Sequence, residues 1–166
     1  MQTTYKYTPK YRPFAGATAA FLLLVSSFLL SFFSLRTEYG FLFTAGALLL
    51  LVPCFEVFFR YCLVRYEYVL QGNILRVVRK AGKYQTVVFD LSLSLASGIT
   101  NEKRKKNISE RFGGKKIKFF SLYQNLFAKE KFCLVYTSGL TCGVFLEING
   151  EFADKISDMI KPNEWE

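Results

Sequence analysis

The sequence predicts an α+β membrane protein, built as a two-helix transmembrane hairpin followed by an antiparallel β-sheet or barrel domain closed by one C-terminal helix. Three observations carry that prediction. The chain carries 22 Lys and Arg against 13 Asp and Glu, a net charge of +9, yet its mean hydropathy is +0.19, so apolar residues must be concentrated somewhere. Residues 14–59 hold 10 of the 18 Phe, and only Arg36 and Glu38 are charged there before Glu56. Beyond them the pattern changes to period-two alternation between glycine turns, and then to helical spacing after Asn149.

Residues 1–13 form an N-terminal segment with Lys6, Lys10 and Arg12. Residues 14–35 contain no charge; at a rise of about 1.5 Å per residue they span about 33 Å, enough for a hydrocarbon core of about 30 Å. That run exceeds the apolar core of a signal peptide, and no small-x-small cleavage site precedes Arg36. A second run, residues 41–59, spans about 28 Å by the same measure. Only Arg36-Thr37-Glu38-Tyr39-Gly40 separates the two, which is too short to recross a bilayer, so residues 14–60 are expected to be an antiparallel hairpin. Basic residues flank it (Lys6, Lys10 and Arg12 before, Arg60 and Arg65 after), and the loop has Arg36 alone. The positive-inside rule then gives a multi-pass cell-membrane protein with both termini cytoplasmic. Pro53 should kink the second helix. Glu56 is an intramembrane polar residue with two readings: an ion pair with Arg60 one turn on, or a proton or cation ligand.

Residues 66–166 are long enough for one small domain, expected in the cytoplasm. Residues 66–71 alternate, meet the turn signal Gly72-Asn73, and resume at 74–79 as a hairpin. Lys80-Ala81-Gly82-Lys83 offers a second turn before a strand over 84–90, with 91–95 either its extension or a separate segment. Residues 101–114 have almost no apolar content and read as a solvated loop, and residues 116–122 return to strand character. The segments 132–137 and 140–148 flank Ser138-Gly139 as a hairpin. A two-residue turn there sets Val135 opposite Cys142 and Cys133 opposite Val144, leaving the two cysteines diagonal at about 7 to 8 Å, too far for an unstrained disulfide. Asn149 caps a helix over 151–160 whose Phe152, Ile156, Met159 and Ile160 share a face, with Pro162 ending it.

The arrangement Tyr66-Glu67-Tyr68-Val69-Leu70, Gly72-Asn73-Ile74-Leu75, Phe89-Asp90-Leu91, a late strand pair and a closing Glu151-Phe152 helix resembles the bacterial pleckstrin-homology-like (PH-like) proteins that follow a two-helix membrane hairpin. The resemblance implies a PH-like sheet at the bacterial inner membrane and supplies no catalytic residues. It also implies that Arg79, Lys80 and Lys83, at an early strand connection, stand where lipid-binding PH domains hold phosphate.

Charge gives the strongest local signal. Residues 101–118 carry Lys103, Arg104, Lys105, Lys106, Arg111, Lys115, Lys116 and Lys118 against Glu102 and Glu110. A loop so charged, tethered just beyond a membrane helix, suits anionic lipid headgroups, each basic residue there contributing about 1 kcal/mol. The chain has no histidine, which removes Ser-His and Cys-His nucleophile pairs and the usual zinc sites. The four cysteines show no CxxC pair, Gly113-Gly114-Lys115-Lys116 lacks the rest of a phosphate-loop pattern, and the acidic residues are scattered. No nucleic-acid module is present, so none is expected as a partner. The sequence therefore points away from an enzyme and from any cofactor, toward a binding module that recruits a protein partner or contacts anionic lipid. A small structural or regulatory subunit of a membrane transport complex is the alternative.

Overall fold

The computed structural model describes residues 4–113 and 116–160. They form two compact units.

The first unit takes in the chain up to Lys10, Arg65–Gln124 and the residues from Ala128 onward. It holds two four-stranded sheets: β1 (Thr4–Tyr7), β2 (Val64–Gln71), β3 (Ile74–Ala81) and β4 (Tyr84–Ser92) in that order, and β5 (Ala96–Thr100), β6 (Lys118–Leu122), β7 (Phe132–Ser138) and β8 (Leu140–Leu146) in the order β5-β7-β8-β6. Alternation builds β2, with Tyr66, Tyr68 and Leu70 buried and Arg65 and Gln71 exposed. The turns after β2 and β3 each place a glycine at positive φ in the first central position, Gly72 at 55° and Gly82 at 59°, as a type II′ hairpin requires.

Several features of this unit refine or depart from the sequence reading. The N-terminal segment contributes β1, antiparallel to β2 with Tyr7 opposite Tyr68. Residues 91–95 divide between the end of β4 and a 3₁₀ turn, Leu93–Leu95, that leads into β5. β6 runs parallel to β8, so the second sheet is mixed rather than antiparallel. Gly139 alone, at φ 74°, makes the β7–β8 turn, so Ser138 pairs with Leu140 and the register moves by one residue. Cys133 then faces Phe145, and Cys142 faces Tyr136. Cys133 and Tyr136 are three positions apart along β7, so the two thiols lie on opposite faces of the sheet and both are free.

Both faces of the second sheet are covered. One presents Leu134, Val144 and Leu146, all fully buried, and Tyr136 on this face meets Phe89 of β4 with ring centroids 5.6 Å apart. The other presents Cys133, Val135 and Phe145 to Ile108, Ile117 and the partly buried Phe112, Phe119 and Tyr123. Ile108 belongs to α3 (Lys105–Arg111), so the segment expected to be a solvated loop contains a helix packed on the sheet. The closing helix, α4 (Gly150–Met159), starts where the sequence places it: the Asn149 side chain accepts the Phe152 N–H at 3.1 Å. Phe152, Ala153 and Ile156 are buried, and the Phe152 ring lies 5.7 Å from Tyr7. Pro162 lies outside the described residues.

A buried polar cluster holds β1 and β2 together where the intervening chain departs and returns. Gln124, fully buried, accepts the Tyr66 N–H at 3.0 Å and donates to the Pro9 carbonyl at 3.0 Å. Glu147 accepts the Gln124 N–H at 3.2 Å, and the fully buried Tyr68 hydroxyl donates to the Leu122 carbonyl at 2.5 Å and accepts the Glu147 N–H at 3.1 Å. Burial raises the Tyr68 phenol above its ordinary range, so it stays a neutral donor.

The second unit is Tyr11–Val64 with Asn125–Phe127. Its helices are α1 (Pro13–Ser34) and α2 (Gly40–Phe58), the latter continued by a π-helical turn, Phe59–Leu63. Both helices are long and apolar enough to cross a membrane. Small residues line their contact: Gly16, Ala20, Ser27, Ala47 and Cys54 are buried, Ser27 Oγ donates to the Ala47 carbonyl at 2.9 Å, and Cys54 Sγ to the Ala20 carbonyl at 3.2 Å. A Cβ on Gly16 would stand 2.6 Å from the Tyr61 Cβ, so only glycine permits this approach. Large apolar side chains point outward instead, among them Phe28 at 69% exposure and Leu49 at 71%.

Candidate binding surface

α3 is a polar segment with one buried apolar residue, Ile108, and hydrogen bonds at both ends. Thr100 Oγ1 accepts the Glu102 N–H at 3.3 Å, and Glu102 Oε1 accepts the N–H groups of Lys103 and Arg104 at 3.2 and 3.4 Å, which fixes the approach to the helix. Ile108 then enters the cluster beside Cys133 and Phe145. Arg111 Nη1 donates to Thr100 Oγ1 at 3.1 Å and ties the last turn back to β5. Beneath the helix, the Phe119 ring stacks on Phe145 at 5.6 Å and lies over Gly143, where a Cβ would meet it at 2.8 Å.

With its apolar side consumed, the segment turns its charge outward. Lys103, Arg104, Lys105, Lys106, Arg111, Lys116 and Lys118 are all exposed. Lys105 Nζ lies 5.6 Å from the Phe119 ring centre and Lys118 Nζ 5.3 Å from that of Phe120, so two of these cations rest on aromatic faces. Lys106 and Glu110 approach to 3.9 Å with both side chains well exposed, a contact of small consequence in water. Lys115, also expected here, lies outside the described residues.

The three cations at the early strand connection sit on the other sheet. Arg79 and Lys83 are exposed beside the Gly82 turn, whereas Lys80 is paired with Glu67 across β2 and β3. Arg79 and Lys83 are therefore the cations at this turn that stand exposed, with Lys80 sharing its charge with Glu67. The two basic groups thus occupy separate places, one at the β3–β4 turn and one on the helix covering the second sheet.

On the first sheet a hollow of about 530 Å³ is lined by Lys6, Glu67, Arg76 and Gln85, Glu67 being the partner of Lys80. Beside Arg111 a hollow of about 220 Å³ is lined by Thr100, Asn101, Asp154 and Ser157, below the roughly 300 Å³ at which pockets for drug-sized ligands begin. Among the described residues no group of three or more Asp, Glu, Cys or His could hold a metal ion. Cys133 is no nucleophile candidate: burial pushes its thiol up to about 12.

Glu56 is exposed on α2 and, among the described residues, has neither an ion-pair nor a hydrogen-bond partner. The expected pair with Arg60 is not formed. Arg60 falls in the π-helical turn, where the i,i+4 phase is lost, and its guanidinium lies over the Tyr61 ring at 5.5 Å.

No family model, curated protein or solved structure matches this chain. What it does must therefore be argued from its own geometry, which is that of an α+β protein with two membrane-length apolar helices and a β-rich domain.

Proposed function

We propose that this protein is a non-catalytic, membrane-anchored module of PH-like design whose α3 surface contacts anionic lipid headgroups. The observation that carries the reading is a fixed cationic surface: α3 is held by Ile108 and by the Arg111–Thr100 bond, and seven exposed cations surround it. A rigid scaffold lowers the ordering cost that a disordered basic loop would incur on binding. Seven charges at about 1 kcal/mol each near an anionic leaflet would suffice for docking even after screening at physiological salt.

The hairpin supplies the anchor. Pairing of β1 with β2 supports placing the N-terminal segment and the sheets on one side of the bilayer, and the flanking basic residues favour the cytoplasmic side of a bacterial inner membrane. Two sheets and a closing helix support the PH-like reading, with the mixed second sheet as its departure.

Hydrogen exchange on the full chain in nanodiscs tests the lipid contact. The amides of α3 should exchange more slowly in discs with one-third anionic lipid than in zwitterionic discs, and replacing Lys103, Arg104, Lys105 and Lys106 by Gln should abolish the difference. Equal exchange in the two discs sinks the proposal.

A second reading, a small structural or regulatory subunit of a membrane transport complex, is favoured by one observation, the unpartnered Glu56.

A further inference from the structure

The connection between β6 and β7 belongs in part to the hairpin's unit, because Asn125–Phe127 group with Tyr11–Val64. Asn125 supplies the fastening. Its side chain is buried, and its Oδ1 accepts the Arg12 N–H at 2.8 Å. Arg12 is the residue immediately before α1, so the connection is fixed to the point where the first apolar helix begins. The Tyr11 hydroxyl donates to the Cys62 carbonyl, which ties the start of the first apolar helix to the end of the second. Phe127 stands two residues beyond Asn125 in a turn and is 75% exposed, with Leu126 half-buried beside it. The stretch Leu126-Phe127-Ala128 contains none of the Gly, Pro, Asn, Asp and Ser that dominate turns facing water.

We infer that Phe127, with Leu126, is an interfacial wedge that inserts at the headgroup–acyl boundary of the bilayer the hairpin spans. Depth decides what covers it. Two residues carry a chain about 7 Å at most, and the headgroup layer on one side of a bilayer is about 5–8 Å thick. A turn fixed where α1 enters the hydrocarbon therefore stays within about one such layer of the entry point. An exposed aromatic ring at that level meets acyl chains and headgroups, the setting in which interfacial segments bury phenylalanine and leucine. Lys129 follows two residues later and is exposed, so its long stem can leave the ammonium among phosphates while the ring lies deeper. The inference rests on the hairpin being embedded in lipid, as proposed above. It is independent of the α3 contact, because an apolar wedge requires no anionic lipid.

Tryptophan quenching on the full-length chain in zwitterionic liposomes tests it, since α3 finds no anionic lipid there. Trp165, the single native tryptophan, is replaced by Phe, and either Phe127→Trp or Phe21→Trp then supplies the only indole. Phe21 lies exposed on α1, eight residues or about 12 Å past Pro13, and reports the embedding itself. The Phe127→Trp chain should resist aqueous acrylamide and be quenched about twofold more by lipid brominated near the headgroups than by lipid brominated near the chain ends. The Phe21→Trp chain should show the opposite order of the two lipids. Quenching of the Phe127→Trp chain by acrylamide alone, with Phe21→Trp quenched by lipid, overturns the wedge and leaves the embedding standing. Absence of lipid quenching from both chains overturns the embedding and the wedge with it. A Phe127→Trp chain that resists acrylamide and both lipids also overturns the wedge, in favour of a second copy of the chain covering the turn.

Discussion

The hairpin and the sheet domain follow opposite packing rules. In the sheets, the buried side chains are large, with Tyr68, Leu70, Leu134 and Leu146 fully enclosed, while the cations of α3 face out. In the hairpin the buried residues are Gly16, Ala20, Ser27, Ala47 and Cys54, while phenylalanines and leucines face out. Water drives large apolar groups inward. Lipid supplies no such drive, so helices meet through small residues that let backbones approach. On the proposed membrane reading the chain meets two solvents, and each substitution should cost what its own solvent dictates.

The largest effect is expected in the sheet core. Leu134→Ala or Ile156→Ala should destabilise the domain by about 2–5 kcal/mol, whereas Leu49→Ala on the outer hairpin face should leave the fold within about 0.5 kcal/mol; denaturant titration in detergent checks both. In the hairpin the rule inverts, and enlarging a residue does the damage. Gly16→Leu should cost about 1–3 kcal/mol because its Cβ meets Tyr61, while Ala17→Leu, one position along and exposed, should be neutral. A comparable loss, about 1–3 kcal/mol, is expected for Tyr68→Phe, which strips a partner from the Leu122 carbonyl and the Glu147 N–H, both within the domain.

Smaller effects concern titration and surface charge. Burial pushes the Cys133 thiol up to about 12 in the folded domain, while the unfolded thiol titrates near its ordinary value of 9.0. Over that window the unfolded state binds fewer protons, so the thiol's contribution is intact below pH 9 and is lost as pH rises toward 12. Wild type should lose stability across that range relative to Cys133→Val, as measured by denaturation midpoints. Least of all should be the stability cost of replacing Lys103, Arg104, Lys105 and Lys106 by Gln, within about 0.5 kcal/mol, since these residues stand in water.

Much of this contrast is legible in the sequence, and the rest fails for identifiable reasons. Uncharged runs reveal the helices, Gly72 and Gly82 announce their turns, and Asn149 announces α4, because each signal is local. β1 escapes notice because Thr4–Tyr7 acquires its meaning only from pairing with residues 68–71, across the whole hairpin in sequence. α3 is hidden because its single anchor, Ile108, leaves no apolar period to detect. The β7–β8 register slips because Gly139 suffices for a turn that Ser138-Gly139 suggests has two residues. At the basic surface, the charges are visible in the sequence but their rigid scaffold is not. Glu56 is visible as well; that it faces away from α1 follows only once Ala47 and Cys54 are known to face it.

Alkaline carbonate extraction of the full chain from its native membrane tests the two-solvent account most directly. The account predicts that the chain stays with the bilayer and floats with it on a density gradient. Recovery of the chain as a folded, soluble protein in the supernatant would contradict it.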